Sequence, residues 1–165
     1  MNHNKLMQAM IQYFAGDPKR IHHFIKVYQF AKLIGEEEKL DERTQAILEA
    51  ASLVHDIGIK KAEQKYGACN GKLQEQEGPE EAEKMLSELH YEEAFIRRVS
   101  FLVGHHHTYT GVEGMDYQIL LEADFLVNLY EDAVDESAIS HAYNTIFRTR
   151  AGKQICRSIY RGLEG

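Results

Sequence analysis

Apolar residues recur at three- and four-residue intervals along nearly the whole chain, and strand-like alternation is absent. That spacing is the mark of amphipathic helices. Leu6, Met10, Tyr13 and Phe14 predict a short first helix that Gly16 ends. Asp17-Pro18 supplies an N-cap and first-turn pair. The helix it opens carries Ile21, Phe24, Tyr28 and Ala31 and stops near Gly35. Asp41 caps a third helix with Ile47, Ala50, Ala51 and Val54, stopped at Gly58. Three glycines and Asn70 mark 67–78 as a loop, after which Pro79 opens a helix with Ala82, Met85, Leu86 and Leu89. Phe95, Val99, Leu102 and His106 continue the pattern in a fifth. A loop over 111–116 leads to a helix capped by Asp116, with Ile119, Leu120, Ala123, Leu126 and Val127. Ile139, Ala142, Tyr143, Ile146 and Phe147 form another, and a basic last helix follows Gly152. The expected architecture is all-α: a compact single-domain helical bundle over 1–165, with its C-terminal helices at about 135–163.

Polar residues on apolar faces interrupt this pattern, and they are the informative ones. At about 100° per residue, His23 shares a face with Val27, Phe30 and Ile34, whereas His22 sides with Lys26 and Gln29. His23 therefore points inward, as a core histidine bonded to a carbonyl or as a ligand. Asp124 lies between Leu120 and Val127 on an apolar helix. A buried carboxylate is costly unless paired or metal-bound, so Asp124 calls for either a salt bridge to Arg97 or Arg98 or an ion. His55-Asp56 ends the third helix, where a finishing backbone lets neighbouring side chains converge. A favourable histidine at a helix C-terminus is the alternative. His106 keeps register with Val99, Leu102 and Val103, with His105 flanking it and His107 falling in the loop. His3, His90 and His141 read as surface residues.

Composition sharpens this picture. Nine histidines among 165 residues is a large share, and the two cysteines, Cys69 and Cys156, have no partners at ligand spacing. Disulfide scaffolds and thiolate zinc sites are thereby excluded. Inward imidazoles and carboxylates converging from separate helices suit a borderline or hard divalent ion: Mn, Fe, Co, Ni, Zn or Mg. Glu-x-x-His, His-Glu-x-x-His, Walker and Gly-x-Gly-x-x-Gly motifs are absent, which removes di-iron bundles, zincins and the common nucleotide loops. Lys+Arg 19 against Asp+Glu 26 gives a net charge of −7, which argues against general nucleic-acid binding. No apolar run nears the ~20 residues of a membrane span, and the polar N-terminus has no signal-peptide core. The expectation is a cytoplasmic protein with no membrane association.

The order His23 … His55-Asp56 … Asp124 resembles the HD superfamily of metal-dependent phosphohydrolases, in its stand-alone bacterial form. The flanks Arg20-Ile21-His22-His23-Phe24, Ala50-Ala51-Ser52-Leu53-Val54-His55-Asp56-Ile57-Gly58 and Leu121-Glu122-Ala123-Asp124 match as well, over about residues 20–130. The resemblance implies that His23, His55, Asp56 and Asp124 hold a metal. Some branches hold two, bridged by the counterpart of Asp56, with two further histidines. His106 fits the second of these, and His105 is its rival. Where one branch has a histidine before Gly-Pro, this chain has Glu77-Gly78-Pro79, so either Glu77 is the other ligand of a second metal or the chain holds one metal alone.

The implied function is hydrolysis of a phosphate ester or anhydride of a small nucleotide or related metabolite through a metal-activated water, with Asp56 orienting that water. The alternative is a non-catalytic sensor module that binds metal or nucleotide. Lys60, one turn beyond His55-Asp56, and Lys72 are candidate phosphate partners, and Gln74 is a candidate for a base or sugar. The basic C-terminal stretch, Arg148 to Arg161, suits a solvated face, a polyphosphate tail or a second subunit, so a homodimer is compatible with the chain.

Overall fold

The computed structural model describes residues 2–163, and these form helices with no strand among them. In chain order the helices are α1 (Asn4–Tyr13), α2 (Pro18–Glu37), α3 (Glu42–Val54), α4 (Gly58–Tyr66), α5 (Gly71–Glu88), α6 (Glu93–Val103), α7 (Met115–Glu131), α8 (Glu136–Thr145) and α9 (Arg150–Ile159). Residues 46–54 of α3 and 116–124 of α7 are buried without interruption. A helix enclosed on every side belongs to a bundle centre rather than to its surface. Helix α2 packs across both, α6 lies on α3, and α9 returns onto α7 and α2. No helix among the described residues is long and apolar enough to cross a membrane.

The caps at Asp17 and Asp41 form as expected: Asp17 accepts from the Arg20 amide, and Asp41 from those of Arg43 and Thr44. Several boundaries differ. Helix α2 runs through Gly35 to Glu37. Gly114 takes the N-cap of α7, and Asp116 sits in the first turn instead. Helix α9 starts at Arg150 behind a Thr149 cap, ahead of Gly152.

The largest difference is at 67–78. Residues 71–78 belong to α5, with Pro79 inside that helix rather than at its start. Gly58 likewise opens α4 rather than only closing α3. The glycines are there for close approach. A methyl group on Gly58 would stand 2.7 Å from the Gln74 carbonyl oxygen and the Gly78 nitrogen, and one on Gly78 would stand 2.6 Å from a Val103 methyl. Only residues without a Cβ let α4, α5 and α6 nest this tightly. The nesting brings the first turns of α5 against the His55-Asp56 corner.

His3 is also not a surface residue. It is buried, stacked on Tyr91, with Nδ1 2.8 Å from the Tyr91 hydroxyl.

Candidate metal centre

Four side chains from three parts of the fold meet at the corner after α3. His23 comes from the second turn of α2, His55 is the C-cap of α3, Asp56 follows in the turn, and Asp124 lies in the middle of α7. His23 Nε2 is 3.2 Å from His55 Nε2, 3.2 Å from Asp56 Oδ2 and 3.2 Å from Asp124 Oδ1. His55 Nε2 is 3.4 Å from Asp56 Oδ2 and 3.3 Å from Asp124 Oδ1. Asp124 takes neither of the arginines that would make it a plain salt bridge: Arg98 pairs with Asp116 at 2.7 Å and Arg97 with Glu93.

The outer contacts fix what the inner atoms present. His55 Nδ1 lies 2.7 Å from the Ser52 carbonyl, His106 Nδ1 2.8 Å from the Val103 carbonyl, and His23 Nδ1 3.0 Å from Glu131 Oε1. These partners only accept, so each Nδ1–H donates and each neutral ring turns its Nε2 lone pair inward. Such outer partners are what orient metal-binding imidazoles. Asp124 Oδ1 is fully buried and has no hydrogen-bond partner. Acceptor atoms therefore face one another across about 3 Å, an arrangement that needs positive charge between them. Protons can supply part of it. Burial alone would lower His23 and His55, but the Asp124 and Asp56 carboxylates hold both up, His23 to about 10. Burial alone would raise Asp56 and Asp124, but His55 and the other imidazoles hold both below the usual carboxylate range. A divalent ion fits the same donor set of nitrogen and oxygen atoms.

Asp56 also serves a second cluster with its other oxygen. His106 Nε2 is 3.4 Å from Asp56 Oδ1, and Asp56, His106 and His107 each offer a ligand atom within 4.8 Å of the others. The expected composition of this cluster is corrected at two positions. Glu77 turns away: its carboxylate accepts from Tyr66 at 2.7 Å and Lys65 at 3.0 Å, contacts that hold it below its ordinary range. His105 is stacked on Phe101 with Nδ1 on the Phe101 carbonyl, outside both clusters. His107 takes part instead. Helix α6 ends at Val103, and the chain leaves it through Gly104, so helical register no longer governs which histidine points inward. Burial, followed by the neighbouring His106, pushes His107 down to about 4, leaving it neutral at pH 7. Gln74 Oε1 lies 2.8 Å from His107 Nε2 and 3.2 Å from His106 Nε2.

The clusters open into a cavity of about 560 Å³. Lys60 does not reach it: its ammonium donates to the Tyr13 carbonyl at 2.9 Å and lies over the Tyr13 ring. Lys72 is exposed and does not line it. The cations that do are Lys19 and Arg20. Arg20 is three residues before His23 and shares its side of α2, a signal that sequence spacing carried. Glu131, which orients His23, likewise follows Asp124 by two turns of α7.

The family model for the HD domain matches residues 20–141. The fold also superposes with a TM-score of 0.67 on the crystal structure of a predicted HD superfamily hydrolase from an uncultured Thermotogales bacterium. That match is at 23% identity and covers 94% of this chain and 84% of the other; at that identity the likeness is one of fold. No curated protein matches the chain.

Proposed function

The chain belongs to the HD-domain family of metal-dependent hydrolases, and from that premise we propose that it is a phosphohydrolase acting on a small phosphorylated metabolite such as a nucleotide. The observation that carries this reading is the orphaned Asp124 Oδ1 facing inward-turned imidazole nitrogens. His23, His55, Asp56 and Asp124 would hold one divalent ion, and Asp56, His106 and His107 a second. When bound, such an ion lowers the pKa of a coordinated water from 15.7 towards ~7 and polarises a phosphoryl oxygen.

The remaining tasks fall to the chain itself. Glu131 keeps His23 in one tautomer and orientation. Asp56, with an oxygen toward each cluster, is placed to hold both ions together and to orient an attacking water between them. The cavity wall holds the carboxylates of Asp17, Asp56, Glu63, Asp124, Glu131 and Asp132 against Lys19, Arg20 and the His23 imidazole. A phosphate dianion meets net repulsion there unless metal charge offsets it, so substrate binding depends on metal. Arg20 donates to Asp17 and Glu63, which hold its guanidinium at the rim for a phosphoryl oxygen.

Phosphate release from a panel of nucleotides and simple esters, assayed with Mn, Co, Ni or Mg, tests the proposal. Activity with at least one pairing, abolished by Asp56→Ala with the helical circular dichroism kept, is expected. Full activity in Asp56→Ala would sink it, and tight nucleotide binding without hydrolysis would favour a sensor instead.

A further inference from the structure

A second cavity, of about 380 Å³, lies against the first, and Asn128 and Asp132 line both. Asp124, Asn128 and Asp132 follow one another at four-residue steps, which sets them along one side of α7 and its end. The two cavities therefore share this strip of α7 as a common border, with Asp124 on the side of the metal cluster. The character of the lining changes across that border. Beyond it the wall is mostly apolar, with Phe125 of α7, Ala138, Ala142 and Ile146 from α8 and the residue after it, and Tyr109, and with His141 and Thr145 of α8 as its further polar groups. The Tyr109 ring meets Phe125 edge-on at 5.3 Å between centroids. Tyr109 follows His106 by three residues and His107 by two, so the same loop serves both cavities.

Charge gives the pair of cavities a direction. Lys19 and Arg20 stand at the start of α2, whereas the α7 end carries Glu131 and Asp132. A phosphoryl group is favoured at the metal cluster and the cationic rim. A second phosphate directed along α7 would meet the Asp132 carboxylate, whereas a hydroxyl would find in it an acceptor. The volume of the second cavity is in the range of small-molecule sites, which are mostly apolar with a few placed polar groups. Its aromatic walls offer faces and edges to a flat ring.

The geometry points to this cavity as the pocket for the leaving alcohol of the substrate: an uncharged planar ring, joined to a single phosphate through a short hydroxylated linker that Asn128 and Asp132 contact. Tyr109, Phe125 and Ala138 are then specificity-determining residues. This assignment rests on the phosphohydrolase reading for the place of the phosphate, and it adds the chemistry at the other end of the substrate.

Benzylphosphonate and methylphosphonate, which cannot be hydrolysed, test it by calorimetric titration of the Mg-loaded protein. Benzylphosphonate should bind at least tenfold tighter than methylphosphonate. Ala138→Phe, an exposed position on the pocket wall, should fill the pocket and shrink that ratio below threefold. Thr145→Phe, exposed on the same wall, replaces it should Ala138→Phe lose its helical signal. Equal affinities in the unmodified protein, a ratio that survives the filled pocket, or no binding of either phosphonate overturns the assignment. Turnover of glycerol 3-phosphate, which has no ring, is scored separately. The ring pocket fails on the affinity ratio, and the phosphohydrolase reading fails on absence of turnover from every ester.

Discussion

Glu122 and Asp124 are two residues apart on α7, both carboxylates and both buried, at 0% and 4% exposure. Facing opposite sides of the helix, they meet opposite surroundings. Glu122 is surrounded by donors: the Gln118 amide at 2.8 Å, the Thr149 hydroxyl at 2.8 Å and the Thr149 backbone N–H at 3.3 Å. Thr149 in turn caps α9, so Glu122 ties the last helix to the bundle centre. Asp124 is surrounded by imidazole nitrogens whose opposite nitrogens are already committed as donors, and one of its oxygens has no partner. Burial alone does not separate a structural carboxylate from a functional one. The sign of what faces it does, because a satisfied acceptor stabilises the fold whereas an acceptor among acceptors needs a cation.

Substitutions can break this contrast from either side. The largest effect is expected from Asp124→Asn. It should keep the helical circular dichroism, yet reduce both metal content and turnover by more than the ~10–100-fold typical of losing an outer-shell partner, as read by elemental analysis and phosphate release. Glu122→Ala should do the reverse. Metal content stays as it was, and stability falls by about 2 kcal/mol because buried donors lose their acceptor, measured by urea denaturation. Glu131→Ala tests the intermediate case. Without its outer acceptor His23 loses its fixed orientation, and metal affinity should drop ~10–100-fold, with a smaller fall in the stability of the metal-free protein than Glu122→Ala gives, because Glu131 is the more exposed of the two carboxylates.

The smallest effect concerns pH. Burial raises the Glu122 carboxyl above its ordinary value despite the donors from Gln118 and Thr149. A carboxyl whose folded pKa is raised binds its proton more tightly folded than unfolded. Its contribution is thus full below the unfolded value and is lost as pH rises through the folded one. Melting curves of the unmodified protein and Glu122→Gln should therefore draw apart, in favour of the former, as pH falls from 7 towards 4.5, with the metal-cluster titrations common to both.

Sequence pattern and structure agree where local rules apply and part where helices touch. Caps such as Asp17 and Asp41, and inward-pointing His23 and Asp124, follow from spacing and one-turn chemistry. The segment 67–78 reads as a loop because glycine is both a loop former and the residue that lets backbones approach, and composition alone does not tell the two apart. His3 reads as surface because its neighbours Tyr91 and Phe95 are distant in the chain.

The same division holds within the site. Helical periodicity and residue chemistry settle the all-α class, the inward faces of α2 and α7, and a need for positive charge around His55, Asp56 and Asp124. These follow from contacts within a turn or two, and that information is written locally. Which histidine completes the second cluster, that Glu77 spends its charge on Lys65 and Tyr66, that Glu131 orients His23, and that an apolar pocket adjoins the polar one depend on where α5, α7 and α8 lie in space. Long-range packing decides these points, because a side chain's partner there is set by the helix beside it rather than by its neighbours in sequence.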